Sequence, residues 1–362
     1  MLIKEKNLLK RITAFILSAV MIGCSSACSE NTESSSVSSS KPSSSQESMS
    51  EKPDAVSQIE EKLKKTDYGG VVYIEINGEP YFTYAEGMLD NKTPITIETP
   101  MPIGSVSKQF CAASILLLQE QGKLSTADTL DKYFPEYEAA GKITLHNMLS
   151  MRSGIPEYNR STATYDVPEE ANISALKEDI FGSPTTAEPD TYFEYSNTNY
   201  FLLALIVQQV SGMNYVDFVD SSFWQPLNMT HTGSLEELPS SPEWAQGSAY
   251  EQLDKQPGLT KGAGDIISNA ADMTIWLNSL REGRIISKES FEAMITDYSD
   301  GKQYGYAFRP GIAGGAAHAG ENGIYTSFDY INTDKNITLF MTSNTESSTK
   351  TSSLFMDIAA LL

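Results

Sequence analysis

The strongest constraint in this sequence lies at the two ends of its foldable part. Strand patterns open and close it, and helix patterns fill the middle. Gly70-Val71-Val72-Tyr73-Ile74-Glu75-Ile76 is rich in β-branched and aromatic residues. Asn77-Gly78 is a two-residue hairpin signal, and Tyr81-Phe82-Thr83-Tyr84 returns. Near the other end, Ile324 to Ile331 and Ile337 to Thr342 have the same character. Between them, helical periodicity runs over Ser105 to Gly122, Thr198 to Val210, Ala271 to Arg281 and Lys288 to Met294. A further helix is expected over residues 54–65, with Val56, Ile59 and Leu63 on one face. This order predicts an α+β fold. One antiparallel sheet is formed by both termini and flanked by helices, with a mainly helical lobe inserted. The α/β lobe is expected at about 54–104 and 295–362, the helical lobe at about 105–294. A cleft between two lobes is a natural ligand site.

Upstream of residue 54 the composition changes. Lys4, Lys6, Lys10 and Arg11 precede an apolar run of eleven residues, Ile12 to Ile22. That is shorter than the ~20 residues a spanning helix needs, so residues 1–23 read as an export signal. Gly23-Cys24 resembles a bacterial lipoprotein cleavage site, with Cys24 as the lipidated residue, although Met21 stands where such sites usually carry leucine. Ser25-Ser26-Ala27-Cys28 is a second candidate. Residues 25–50 contain 14 serines and almost nothing apolar, too little to offset the entropy of ordering. Residues 24–53 are therefore expected to be a flexible tether. The expected location is extracytoplasmic, anchored to the cell membrane through the N-terminal lipid.

The formal net charge is −21. Setting aside +3 on residues 1–23 and −2 on residues 24–53 leaves −22 on the rest. Such a surface argues against a nucleic-acid partner. Three cysteines cannot build a four-cysteine zinc site, and none of His146, His231 and His318 lies in a His-Glu-x-x-His. No metal and no cofactor are expected. Gly-x-Ser-x-Gly and the glycine-rich phosphate loops are absent from the sequence.

Ser105-Val106-Ser107-Lys108 is the first chemical candidate. Ser-x-x-Lys occurs five times, starting at Ser38, Ser105, Ser174, Ser299 and Ser347, but only the Ser105 copy opens a strongly apolar helix. Residues three apart share a helix face, so Lys108 would lie beside Ser105 and could accept its proton. An N-cap serine with a solvated lysine fits the same four residues. Tyr195-Ser196-Asn197 stands just before a helix, where the phenol could relay a proton and the amide hold a carbonyl; a helix cap and a packed ring fit as well. His318-Ala319-Gly320 precedes the last strands, with His231-Thr232-Gly233 as a competitor. Cys111 reads as a small core residue.

Taken together, the order and spacing of these elements resemble the serine β-lactamase and penicillin-binding protein superfamily, nearest to its class C β-lactamase-like branch. The resemblance covers nearly all of residues 54–362. Pro102-Ile103-Gly104-Ser105-Val106-Ser107-Lys108-Gln109-Phe110 is similar to the nucleophile segment. Ile143 to Leu149 with Ser153-Gly154-Ile155-Pro156 is similar to the next landmark. Phe193-Glu194-Tyr195-Ser196-Asn197-Thr198-Asn199-Tyr200 is similar to the tyrosine segment. Pro226-Leu227-Asn228-Met229 and Tyr304-Gly305-Tyr306-Ala307-Phe308 follow in order. The order puts His318, not His231, at the last motif. The resemblance implies a β-lactamase/transpeptidase-like fold and an acyl-enzyme at Ser105. Lys108 and Tyr195 would share the proton work, with the choice of base open. Asn197 would meet the acyl-side amide and help place Lys108. The backbone amides of Ser105 and Glu321 would form the oxyanion hole, and Gly320 would let the substrate approach. His318 would supply polarity or charge near the Tyr195 oxygen and the leaving-group side. His318 and Ala319 depart from the lysine and hydroxyl residue of classical lactamases, which weakens recognition of a substrate carboxylate. The implied partner is a small amide or ester or a peptidoglycan-derived D-amino-acid peptide. A β-lactam would be hydrolysed or only bound. The alternative is a penicillin-binding or sensor lipoprotein that turns over poorly.

Overall fold

The computed structural model describes residues 54–89, 93–164, 167–235, 258–345 and 348–362. The export signal, the tether and both candidate lipidation cysteines lie outside the described residues.

Asp54 caps the first helix, its Oδ1 accepting the Ser57 amide at 2.8 Å. This is α1 (Ala55–Thr66). It leads into the hairpin of β1 (Gly70–Ile76) and β2 (Glu79–Glu86). After β3 (Met101–Pro102) comes a tight 3-10 turn, Gly104–Ser107, and then α2 (Lys108–Glu120). The expectation of a helix starting at Ser105 is thus corrected: Ser105 sits in the turn, and the α-helix begins at Lys108. The helical region continues through α3 (Leu145–Leu149), α4 (Glu169–Phe181), α5 (Asn197–Ser211) and α6 (Tyr215–Val219). Short strands β4 (Gly233–Ser234) and β5 (Ile266–Ser268) follow, then α7 (Ala270–Glu282) and α8 (Lys288–Ile295). The chain closes with β6 (Arg309–Ile312), β7 (Gly315–Asn322), β8 (Tyr325–Asn332), β9 (Ile337–Ser343) and α9 (Ser348–Ala359).

The main sheet has the order β2-β1-β9-β8-β7-β6, every neighbouring pair antiparallel. Both ends of the folded part therefore share one sheet, meeting at β1 and β9. Covering on both faces explains why β1 and β9 read as continuous apolar runs rather than alternating ones. Val72, Ile74, Leu339 and Met341 pack outward against Ile59, Leu63, Leu354 and Ile358 of α1 and α9. Val71, Tyr73 and Phe340 pack inward with the helices. α7 is bound directly to the sheet: Asn278 donates to Glu75 Oε2 and accepts from Thr338 Oγ1, each at 2.7 Å. A second sheet, β3-β5-β4, is made of strands of two or three residues. Among the described residues no single helix is long and apolar enough to cross a membrane.

β6 pairs only with Gly315 to Ala317 of β7. His318 onward therefore has no β6 partner, although β8 pairs with it along its other edge. His318-Ala319-Gly320 lies within this strand, not before the strands as the sequence suggested.

Candidate active site

Two glycines bring the nucleophile turn onto β7. Gly104 has φ +49°, and a Cβ there would lie 2.4 Å from the Glu321 amide nitrogen. A Cβ on Gly320 would lie 1.9 Å from the Ile103 carbonyl oxygen. Only hydrogen at both positions permits this approach. It sets the Ser105 turn beside Glu321, as the resemblance implies for two oxyanion donors. Ser327 Oγ ties the turn down by donating to Ile103 O at 2.7 Å. From Met101 to Leu116 every residue is buried except Ser105.

Lys108 is fully buried. Its Nζ lies 2.9 Å from Ser105 Oγ, 2.7 Å from Asn197 Oδ1 and 2.6 Å from Ala263 O. The last two atoms can only accept hydrogen bonds. An ammonium can donate to all three; an amine that has given up one proton to solvent or substrate would keep both N–H groups on Asn197 and Ala263 and turn its lone pair to Ser105. The orientation of the Asn197 amide is fixed in turn by Glu157, whose Oε1 accepts from Asn197 Nδ2 at 2.8 Å. The geometry thus holds the amine against a single hydroxyl, that of Ser105.

The Tyr195 ring centroid is 5.1 Å from Lys108 Nζ. Its hydroxyl is buried and makes no hydrogen bond among the described residues. Tyr304, named in the sequence only as a landmark, proves to be part of the site. Its ring packs edge-on to Tyr195 with centroids 5.9 Å apart, and its hydroxyl is 3.2 Å from His318 Nε2.

The His318 tautomer follows from its partners. Nδ1 is 2.8 Å from the Ala319 carbonyl, which only accepts, so Nδ1 carries the proton and Nε2 accepts from Tyr304. Burial holds the His318 pKa well below the ordinary imidazole value, and the charges of Arg309 and Lys108 push the same way. The ring supplies polarity near Tyr195 without charge, and its Nε2 is occupied by Tyr304 rather than by Tyr195.

Behind His318 runs a buried chain with a fixed direction. Trp276 Nε1 donates to Gln109 Oε1 at 3.0 Å, and Gln109 Nε2 donates to Asp329 Oδ2. The His318 amide donates to Asp329 Oδ1 at 2.6 Å. Both ends of this chain can only donate, so Asp329 must accept at both oxygens. Burial pushes its pKa up to about 7, against the hydrogen bonds from Gln109 and His318. The folded-state pKa exceeds the ordinary carboxylate value of 3.8, so the contribution of Asp329 to folding stability falls as pH rises from about 4 to about 7. Asp329→Asn turns one acceptor into a donor facing a donor. We expect a loss of ~1–3 kcal/mol near pH 5. The gap to wild type should narrow by about pH 8, because the variant has no charge to bury. Urea unfolding at the two pH values measures this; a gap independent of pH would contradict the raised pKa.

The remaining candidates fall elsewhere. His231 donates its backbone amide to Asp272 Oδ2 near the start of α7. Cys111 is buried against Tyr200 O, and burial pushes its thiol pKa well up. Ser174 bonds Glu170 O within α4, while Lys177 pairs with Glu136. Among the described residues no cluster of His, Cys, Asp or Glu could hold a metal ion.

A family model described as Beta-lactamase matches residues 56–360. The chain belongs to this family, and its fold is that of the β-lactamases and transpeptidases. Among relatives, it is 31 % identical over 70 % of its length to PbpX of Bacillus subtilis (strain 168), which carries a provisional penicillin-binding name. It is 27 % identical over 68 % of its length to penicillin-binding protein 4* of the same organism. The matches span 65 % and 60 % of those relatives' own lengths. The octameric penicillin-binding protein homologue of Pyrococcus abyssi superposes with TM-score 0.70 at 27 % identity, covering 85 % of this chain and 76 % of that one. The D-amino acid amidase of Ochrobactrum anthropi SV3 shares the fold, with TM-score 0.70 at 21 % identity over 85 % and 96 % of the two chains.

Proposed function

We propose that this chain is an exported, membrane-tethered serine hydrolase of the class C β-lactamase-like type, working through an acyl-enzyme at Ser105. The observation that carries the reading is the Lys108 amine, with two partners that can only accept and Ser105 Oγ as the third. In the first step Ser105 Oγ bonds the substrate carbonyl carbon and its proton passes to Lys108. The Ser105 and Glu321 amides stabilise the oxyanion. The leaving amine or alcohol departs with a proton relayed by the Tyr195 hydroxyl. Water then cleaves the acyl ester and restores Ser105. The substrate class is a small amide or ester, including cell-wall-related D-amino-acid peptides; the D-amino acid amidase of the same fold supports amide chemistry. The alternative, a penicillin-binding or sensor protein with slow deacylation, is favoured by the names of the Bacillus subtilis relatives.

Intact-protein mass spectrometry over time separates the two. A penicillin adduct that persists on Ser105 supports the sensor role. Turnover of D-amino-acid amides or esters without a lasting penicillin adduct supports the hydrolase. For the anchor, Cys24→Ala should move the protein from the membrane to the soluble fraction; an unchanged distribution would favour Cys28 or no lipid.

Tyr195→Phe offers a sharper test of the relay. Acylation should slow by ~10²–10⁴. Stability should stay level or rise, because the hydroxyl removed has no hydrogen-bond partner among the described residues. Labelling rate and melting temperature of the one variant check both halves; a stability loss without a rate loss would give Tyr195 a packing role only.

A further inference from the structure

Arg152 lies just past α3. Its side chain is 7 % exposed, while the two aspartates it binds are 67 % and 81 % exposed. Nε donates to Asp190 Oδ1 at 2.8 Å, Nη2 donates to the Asp190 carbonyl, and Nη1 donates to Asp300 Oδ2 at 2.6 Å. The buried guanidinium is the fixed point, and two surface segments come to it.

Each segment leads to one phenol of the site. Asp190 stands five residues before Tyr195, and Asp300 four before Tyr304. The first segment is also held by its backbone: the Asp190 amide donates to Arg152 O at 2.8 Å and the Glu194 amide to Met151 O at 2.9 Å. The second is the loop between α8 and β6, knotted around Asp297. Asp297 Oδ1 accepts the Ser299 amide at 2.8 Å and the Tyr304 amide at 3.2 Å. His146 meets the base of the loop at Tyr298 and Tyr306, and Arg152 holds its tip at Asp300. Asp300, Gln303 and Ala307 have φ of +52°, +57° and +59°. Side chains adopt that region only where their surroundings enforce it. The Tyr195 hydroxyl has no hydrogen-bond partner among the described residues, so ring packing sets its place. Its ring lies edge-on to Tyr304, which in turn packs on Phe193 and bonds His318.

We infer that Arg152 is a positioning residue for the leaving-group side, setting Tyr195 against Tyr304 by binding the segment in front of each. With Ser105 as nucleophile and Tyr195 as proton relay, on which this rests, the effect is selective. Attack by Ser105 depends on Lys108 and its partners, none of which Arg152 touches. Departure of a group that needs a proton depends on where the Tyr195 hydroxyl stands. Loosening the Arg152 contacts therefore slows the cleavage of amides and spares esters with a good leaving group.

The test compares the para-nitrophenyl ester and the para-nitroanilide of D-alanine, which share one acyl group. Nitrophenolate leaves as the anion, whereas the anilide nitrogen must take a proton as its bond breaks. Asp300→Asn removes the charge at an exposed position and keeps a side chain that tolerates positive φ. In this variant kcat/KM for the anilide should fall roughly three- to tenfold, and that for the ester by less than about twofold. Asp357→Asn is the control: it breaks an exposed pair with Lys62, between α9 and α1 on the outer face of the sheet, and should move neither rate. If ester and anilide fall together in Asp300→Asn, or neither falls, Arg152 serves the fold alone and the inference is overturned. Should the variant misfold, added salt on wild type screens the exposed carboxylates and should lower the anilide-to-ester ratio; the charge on the substrates cancels from that ratio. A ratio indifferent to salt would count against the inference. A wild type that cleaves neither substrate is a different result: the hydrolase reading fails, and this role for Arg152 falls with it.

Discussion

Ser105→Ala is expected to abolish labelling by a fluorophosphonate probe while leaving the melting temperature close to wild type. Ser105 is the one partly exposed residue from Met101 to Leu116, and its hydroxyl makes one side-chain hydrogen bond, with Lys108. Its loss removes the nucleophile and little packing. Lys108→Met behaves differently. It takes the proton acceptor away, so acylation should slow by ~10²–10⁴. It also strands Asn197 Oδ1 and Ala263 O, each of which loses its bond to the amine. A buried acceptor left without a partner costs ~1–3 kcal/mol, so this variant should be measurably less stable. In the double variant the rate loss should not exceed that of Ser105→Ala, because the two residues act as one unit. Persistent labelling of Ser105→Ala at the same peptide would end the assignment. Multiplicative losses in the double variant would show that Lys108 does not act on the Ser105 proton.

How much of this was legible in the sequence depended on distance along the chain. Ser105 and Lys108 are three apart, so local geometry alone brings them together, whether the turn is 3-10 or α. Tyr195 and Asn197 could be placed because they stand at the start of a strongly apolar helix. The sheet was legible at its centre, where β1, β8 and β9 are apolar runs, but not at its margin. β6 contains Pro310 and Gly311 and has no strand pattern, and β7 is Gly, Ala and one His up to Gly320, followed by Glu321 and Asn322. Small residues there serve the approach of the nucleophile turn, which no periodicity reports. The strands of the second sheet are too short to carry a pattern.

The partners that tune the site were hidden for a related reason. Glu157 is 40 residues from Asn197, and Tyr304 is 14 residues from His318 across β6. Asp329 meets His318 only through the β7–β8 register, which pairs these two residues. One signal did exist for Asp329. A lone acid inside the strand Tyr325-Thr326-Ser327-Phe328-Asp329-Tyr330-Ile331-Asn332 is out of place unless buried donors await it.

The sharpest structural prediction concerns Gly320, where fold and chemistry share one contact. Gly320→Ala adds a methyl whose carbon would sit 1.9 Å from Ile103 O and 2.5 Å from Ser327 Oγ. Ile103 O is backbone, and it is the residue just before Gly104 and Ser105. No rotamer change relieves the clash, so the nucleophile turn must move away from β7, breaking the Ser327 bond to Ile103 O on the way. Overpacking of this kind costs ~1–3 kcal/mol or more. Displacing one oxyanion donor costs ~10²–10³ in rate. Both losses should appear together, with the rate measured per mole of folded protein so that stability does not masquerade as chemistry. Gly323→Ala, three residues on in the turn between β7 and β8, is the control. Its φ of +62° is strained for alanine, but nothing lies within 4 Å of the added carbon. It should cost about 1 kcal/mol in stability and leave acylation of Ser105 near wild type. If Gly320→Ala matched Gly323→Ala in both rate and melting temperature, the close approach of the turn to β7 would be wrong. With it would go the placing of the Glu321 amide beside Ser105, and the oxyanion hole would have to be sought elsewhere.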